Sequence, residues 1–559
     1  MAMLRQRAET ALRWVWPFAL WVGLFLATGA YGFNPTDEGY LLAQSQRLLR
    51  GEVMHRDFIS PRPVGSPLLH VVDFAVPLPL LDASRLITLA EVIGTSILFT
   101  WFIFGVSPRR WRVWQVAAAV GSVVVSLHAF PLTAWHTIDG LLLIAAGLVL
   151  VVRVERRGTT AVGLVLLGAA VIVKQSFFLA PVIGIVLAVV RDRKGGPLKQ
   201  IVTSTAWAAI VPVVYVAVVA GAGGFGSMRR QLLGAGSPDL HSLTDSLRYG
   251  HGVAALVIAE IGLLAIFTVL QRADERARLA AFGAGVAVSA AVVWAAIGGR
   301  LVMSGVWGYE LFWLLVVIVG WRLVANRVFD WVAFVMLLVA WMVTLSWGYV
   351  VPNLAGGALA LAALNAVWSD YAKTGPIRLS PAVATAAALV PLVALPVLSV
   401  RDRRLSVYRD RPASELSYSL NRVAPDFGVA KTNPQTGAYL DEIARCVRMH
   451  PAREVAVLPD NAALYPIFGW RNPFPIDWMT PPEFGDEKQR LIDAATALRH
   501  RGDYVVLLQH QSAEDLARKP RRAESDPIFF YNHPALLHAI LAALDGNVSS
   551  CGPFTVVTP

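Results

Sequence analysis

The sequence predicts a polytopic all-α membrane protein with a C-terminal extracytoplasmic α/β domain, and three observations lead there. Apolar residues make up 56% of the 559 and charged residues only 16%, with a mean hydropathy of +0.55. An ordinary soluble domain is about one-quarter charged. The apolar residues gather into about 13 runs of a length suited to crossing a bilayer. Beyond residue 399 the texture changes to short β-branched segments set between polar ones. The net charge of +11 does not form a nucleic-acid patch, because the basic residues recur in short clusters between the apolar runs. That is the pattern of a multi-pass chain, so the expected partner is a lipid bilayer and no nucleic acid.

The runs lie at 14–33, 85–106, 113–131, 138–153, 160–174, 177–190, 201–221, 252–270, 279–297, 304–324, 331–350, 354–369 and 380–399. Several of the 18 Trp stand at run ends, as an interfacial belt requires. The first run reads as a retained signal anchor, long enough to span and without an evident cleavage site. Arg5, Arg7 and Arg13 precede it, and alternate connections hold further clusters, such as Arg109, Arg110 and Arg112, then Arg191, Arg193, Lys194 and Lys199. That puts about 20 basic residues on one side and about nine on the other, so the N-terminus is expected in the cytoplasm. An odd number of spans then leaves 400–559 outside. Arg401, Arg403 and Arg404 stand against the rule on the outer side of the last run. The Ala, Val, Gly and Arg usage fits a high-GC bacterium and hence its inner membrane.

Residues 1–399 thus form the transmembrane domain, with 34–84 as its first outer loop. Asn34-Pro35-Thr36 ends the first run, and Thr36 or Asp37 can cap the helix that follows. Leu41, Leu42, Ser45, Leu48 and Leu49 mark one face of that helix, which is expected to lie on the outer membrane surface until Gly51 stops it. Asp37 and Glu38 are then held at the membrane–water boundary. A carboxylate there can take a proton from an incoming hydroxyl; helix capping accounts for the same two residues without chemistry.

Asp37-Glu38-Gly39-Tyr40, Arg50-Gly51-Glu52, His55-Arg56-Asp57-Phe58 and Pro61-Arg62-Pro63 together resemble the first outer loop of GT-C glycosyltransferases. These are polytopic enzymes that use polyprenyl-phosphate sugars, among them the protein O-mannosyltransferases and lipid A aminoarabinose transferases. Val455 to Asp460 with Leu464 to Pro473 resembles the outer-domain segment of bacterial relatives, and Lys174-Gln175 a Lys-Gln or Lys-Gly element at an outer span end. The sequence departs at Val64-Gly65-Ser66, where relatives more often carry Pro-Pro or Pro-Gly. The resemblance implies transfer of a monosaccharide from a polyprenyl-phosphate donor to an extracytoplasmic glycan, lipid or protein, with inversion. Asp37 matches the proposed base and Glu38 the adjacent acid. Asp57 is a second acid, for acceptor orientation or metal contact, with His55 and Arg56 beside it as sugar or acceptor contacts. A divalent ion held by Asp37 and Asp57 is the one cofactor considered, since no His/Cys spacing marks a zinc site.

A departing phosphate needs cations. Lys174, between two apolar runs, is the first candidate, with snorkelling to the interface as its plain alternative. Arg229 and Arg230 in the Gly-rich loop 222–251, and Arg300 after an outer run end, are the others. Acids within runs normally face a cavity or a partner. Asp139 and Glu310, the latter beside Trp307 and Tyr309, are expected at the donor cavity, and Glu91 and Glu260 to pair within the bundle. A transporter or flippase with an outer accessory domain is the competing reading. Against it, the hydropathy pattern has no clear internal repeat, and the acidic pair lies outside the runs.

In 400–559, segments 453–458, 503–508 and 554–558 read as strands, and those near 437–450, 486–500 and 533–544 as helices. Tyr465, Phe468, Trp470, Phe474 and Trp478 cluster between the first two strands. Trp470 in particular is a candidate sugar platform; packing against the domain or membrane explains the same rings. Cys446 and Cys551 are the only cysteines. Outside the cytoplasm they are expected to form a disulfide.

Overall fold

The computed structural model describes residues 2–127, 132–156, 158–191, 196–234, 241–249, 258, 261, 307–346, 350–373, 396–509 and 534–559. The predicted run 279–297, nearly all of 252–270 and most of 380–399 lie outside the described residues, as do Glu260 and Arg300.

Every other predicted run is helical over its described residues, with ends displaced by a few residues except at the first, whose helix begins at Ala2. The helices are α1 (Ala2–Thr28), α2 (Tyr40–Leu49), α3 (Gly65–Leu69), α4 (Leu80–Phe104), α5 (Val113–Leu127), α6 (His136–Val152), α7 (Thr159–Val173), α8 (Leu179–Arg191), α9 (Pro197–Gly221), α10 (Phe225–Gly234), α11 (Ser242–Tyr249), α12 (Trp307–Asn326), α13 (Trp331–Thr344) and α14 (Gly356–Lys373). The α7–α8 boundary falls at Lys174, whose extended backbone (φ −149°, ψ 121°) interrupts the helix. Among the described residues α4 and α9 are long and apolar enough to cross a membrane; α5, α6, α7, α13 and the stretch Val15–Thr28 of α1 are apolar but shorter. One core joins α4, α6, α7, α12, α13 and α14 through Leu89, Phe102, Leu141, Leu167, Leu315, Val339 and Leu359. Around it, α9 turns Leu198, Val202, Val213 and Val218 outward, each at least 60% exposed. Such a face is unfavourable against water and neutral against lipid.

The C-terminal part is a three-layer unit. A short antiparallel pair, β1 (Tyr418–Ser419) with β2 (Lys431–Thr432), precedes a four-stranded sheet of order β3-β4-β6-β5. Its strands are β3 (Glu454–Leu458), β4 (Tyr504–Gln509), β5 (Asn547–Cys551) and β6 (Phe554–Thr558). β3 and β4 are parallel, with Val455 opposite Val505; β6 runs antiparallel to β4 and β5. Val455, Val457, Val505 and Leu507 pack on one side with the helix Pro434–Met449, while Ala456, Leu458, Val506 and Leu508 pack on the other with Lys488–Arg501 and Pro534–Leu544. Burial of both faces explains why these strands read as continuous apolar runs without alternation. β5 was not expected: it is an edge strand, exposed along its first four residues. Cys446 and Cys551 are disulfide-bonded, tying Pro434–Met449 to the end of β5.

The segment 34–84, expected as the first outer loop, differs most from its predicted setting. Instead of lying open on a membrane surface, α2 is covered: Tyr40, Leu41, Leu42, Ala43, Gln44, Ser45 and Arg47 are all buried. The cover is the 459–484 excursion that follows β3, with Ala462 and Tyr465 packed on Tyr40, Leu41 and Ala43. Gly39 permits the approach. It sits at φ +88°, and a Cβ there would lie 2.5 Å from Ala463 Cα. Gly39→Ala is therefore expected to cost about 2–4 kcal/mol in strain and overpacking, read as a lower melting temperature of the purified protein. An unchanged melt would mean that the loop and the 459–484 excursion part freely.

Candidate active site

Asp37 is not a helix cap. The cap position of α2 is Gly39, with no side-chain bond to the helix. Asn34 does the local work instead: its Oδ1 accepts from Thr36 N (3.0 Å) and Asp37 N (2.9 Å). Thr36 Oγ1 donates to Asp460 Oδ2 (2.9 Å), and Asp460 Oδ1 accepts from Gln509 Nε2 (2.8 Å). Asp460 and Gln509 stand at the carboxyl ends of β3 and β4, so the sheet itself braces the loop. The Asp37 carboxylate is left facing outward from this turn. It is buried, accepts from the Tyr408 hydroxyl at 2.9 Å and meets Arg409 Nη1 at 2.7 Å. Burial raises its pKa above the ordinary carboxylate value; Arg409, the Tyr408 bond and Arg62 pull it back without cancelling the rise.

Two cavities meet at Asp37 and Tyr408. The first, about 850 Å³ with its open mouth, is lined by Asp37, Tyr40, Arg62, Trp135, His136, Thr137, Lys174, Ser346, Tyr408, Arg409 and Trp478, with Leu41 and Ala134. Asp37 is the single acid in that lining among the described residues. Facing it are three cations. Arg62 is held by Glu483 (2.7 Å) and lies 5.9 Å from the Tyr40 ring centre. Lys174 is buried, and its Nζ donates to Thr137 Oγ1 (3.1 Å) and Val343 O (3.3 Å). Arg409 is half-exposed at the rim. The second cavity, about 660 Å³, is bounded by Tyr31, Asn34, Asp37, Glu38, Arg85, Thr133, Arg403, Arg404 and Tyr408 among others.

Lys174 reaches the cavity because α7 stops there. The stop is fixed from the loop side: Gln175 Nε2 donates to Pro61 O (2.8 Å), and Gly65 abuts the end of α7 so closely that a Cβ would lie 2.5 Å from Ile172 O. The Val64-Gly65-Ser66 departure thus has a steric role in this chain.

The remaining expected site residues are placed elsewhere. Glu38 is buried with both oxygens taken by Arg85 (2.7 and 2.9 Å), which also donates to Gly32 O. It ties the turn ahead of α2 to α4 at the wall of the second cavity. Asp57 is paired with Arg56 and accepts from Val53 N (2.6 Å). It borders a separate open groove with Arg47, Arg56, Arg453, Arg471 and Arg490. Asp37 and Asp57 therefore do not converge on one cation, because the turn through Met54 and His55 points them into different cavities. His55 is fully buried and locked: its Nδ1 donates to Gln231 Oε1 (2.6 Å), and its Nε2 accepts from the Tyr215 hydroxyl. Burial pushes its pKa down to about 4, so it is neutral at physiological pH and pins the loop to α9 and α10.

Arg229 and Arg230 lie on α10, and Arg230 pairs with Glu487 at 3.3 Å. Tyr309, on α12, donates from its hydroxyl to Val350 O (3.1 Å); neither it nor Glu310 borders the first cavity, and the side chain of Trp307 lies outside the described residues. Asp139 is buried behind it, bonded to Ser66 and His70. Trp470 stacks on Phe468 (4.4 Å, 10°) outside it, and Trp478 is the member of that aromatic cluster that borders it. Tyr408 and Arg409 carried no sequence signal for this role. Arg62 was not among the expected phosphate contacts either, although it stands in the Pro61-Arg62-Pro63 stretch that carries the resemblance.

No family model matches the chain, and no curated protein does. Among solved structures, the crystal structure of ArnT from Cupriavidus metallidurans in the apo state is similar over 99% of this chain and 98% of its own length, with 13% identity and a TM-score of 0.44. A likeness of that size assigns neither activity nor substrate.

Proposed function

We propose that this chain is an integral-membrane glycosyltransferase, moving a monosaccharide from a polyprenyl-phosphate donor to an extracytoplasmic acceptor. The supporting observation is the first cavity: one buried carboxylate opposite Arg62, Lys174 and Arg409, between aromatic rings. Cations suit a phosphate, rings suit sugar CH faces, and an acid at the junction with a second cavity can reach a second substrate. In this reading the acceptor hydroxyl gives its proton to Asp37 and its oxygen attacks the anomeric carbon. The bond from that carbon to the phosphate oxygen breaks, and its electron pair stays on the phosphate. The negative charge growing there is offset by Lys174 and the two arginines. Attack from the side opposite the leaving group inverts the anomeric centre. The disulfide accords with an extracytoplasmic setting for 400–559, and the exposed apolar face of α9 accords with a bilayer around the helices.

The test is incubation of the purified protein with radiolabelled polyprenyl-phosphate sugar and candidate glycan, lipid or protein acceptors. Transfer of label to an acceptor supports the reading. Label crossing a vesicle bilayer while still on its lipid would replace it with a flippase. Lys174→Met is expected to lower turnover about 10²- to 10³-fold by removing one charge from the leaving phosphate. Unaltered turnover would place the phosphate elsewhere.

A further inference from the structure

Behind the first cavity lies a buried group of titratable side chains that the proposed chemistry does not use. His70 and Asp73 stand on the 3₁₀ turn His70–Ala75, Glu91 is in the middle of α4, and Asp139 is in the first turn of α6. His70, Asp73 and Asp139 are at most 1% exposed. The His70 Nδ1 faces both oxygens of Asp73, at 3.1 and 3.0 Å, and its Nε2 faces Asp139 Oδ1 at 3.3 Å. Donor atoms of His70, Glu91 and Asp139 all lie within 4.8 Å of one another. Glu91 Oε2 is buried with no hydrogen-bond partner among the described residues.

Asp73 and Asp139 can only accept, so the imidazole between them holds a proton on each nitrogen, and a metal ion would take the place of the one on Nε2. Glu91 brings a second carboxylate to the same space. Carboxylates converging in a dry interior need a positive charge between them, and a divalent ion supplies it in place of that proton. An imidazole whose far N–H is held by a carboxylate, with its other nitrogen beside further carboxylates, is the usual support for a metal-ligating histidine. We propose that His70 Nε2, Glu91 and Asp139 bind one divalent transition-metal ion of the zinc or manganese class, with Asp73 as the orienting partner of His70. Ligands on one such ion, each at roughly 2.1 Å, lie up to about 4 Å apart, so closure needs movements of under about 1 Å. The ion would join the loop, α4 and α6 next to Ser66, whose hydroxyl already donates to Asp139. This site does not depend on the glycosyl-transfer reading.

The experiment is metal analysis of untagged full-length protein in detergent, after chelator treatment and titration with Zn²⁺ or Mn²⁺. One equivalent of either ion bound, with a raised melting temperature, is expected. Glu91→Gln should weaken that binding at least 100-fold while the unliganded melt stays near wild type, and His70→Gln should do likewise. Asp73→Asn should weaken it about 10- to 100-fold. No saturable binding by the wild type, or wild-type affinity in Glu91→Gln, overturns the site. So does a Glu91→Gln protein that melts higher than the chelated wild type and binds no less metal, since the carboxylates would then be sharing protons. If His70→Gln fails to fold, Glu91→Gln alone decides.

Discussion

Asp37→Asn is expected to lower the turnover of sugar transfer by about 10²- to 10⁴-fold, the contribution of a positioned general base, while leaving the melting temperature near that of the wild type. The side chains have the same shape, and the amide oxygen can still accept from Tyr408. What is lost in stability is the pair with Arg409, whose side chain is 46% exposed; a pair that open to solvent contributes about 0–1 kcal/mol. What is lost in chemistry is the only carboxylate among the described residues of the first cavity. The pH profile supplies a second readout. The base must be ionised to accept a proton, so turnover rises as pH climbs through the Asp37 pKa. Because burial raises that pKa, the acid limb should fall at higher pH than an ordinary carboxylate gives, and it should vanish in Asp37→Asn. Normal transfer by this variant would remove Asp37 from the mechanism. Glu38→Gln should behave in the opposite way, losing stability through the buried Arg85 pair without a shifted acid limb.

How far this could be read in advance depended on where each cause lay in the chain. Helices such as α4, α6 and α9 were legible because their apolar runs are local and long. The turn at Gly51 was legible, and Asp37 and Lys174 stood out as candidates, because Gly, acid and base interrupt those patterns. Three features were not. α2 was expected at a membrane surface because its Leu-rich face suits lipid as well as it suits protein; the segment that covers it, around Ala462 and Tyr465, is over 400 residues away. Tyr408 and Arg409 reach Asp37 across 371 and 372 positions, with no spacing rule to announce them. His55, Glu38 and Asp57 carry the residue types of catalysis, yet their partners Tyr215, Arg85 and Arg56 hold them outside the first cavity. β5 was missed because Asn547, Ser549 and Ser550 face solvent on an edge strand, where no apolar alternation is needed.

The junction between the bundle and the C-terminal domain leads to the largest expected loss of stability. Arg47, on the buried face of α2, donates from Nε to Asp477 Oδ2 (2.9 Å), from Nη2 to Asp477 Oδ1 (2.9 Å) and Phe474 O (2.7 Å), and from Nη1 to Glu52 Oε2 (2.9 Å). Its side chain is 6% exposed and that of Asp477 2%. Burial alone would lower the guanidinium pKa, but Asp477 and Glu52 outweigh it and raise the value further above its ordinary one. Asp477→Ala strands this charge in a site built around two carboxylates, with only Glu52 left. Removing one partner of a buried pair costs about 3–5 kcal/mol, more than any surface substitution proposed for this chain. Removing both costs less, because the desolvated charge goes with its partner, so Arg47→Met with Asp477→Leu should recover much of the loss. Melting of the detergent-solubilised protein, together with faster proteolysis around 459–484 in Asp477→Ala, measures both effects. Wild-type melting of Asp477→Ala would mean that apolar packing of Tyr465 and Ala462 on α2 holds the C-terminal domain without this ion pair. Turnover should fall along with stability, since the segment bearing Asp477 also bears Trp478 and Glu483, and Glu483 holds Arg62 at the cavity wall.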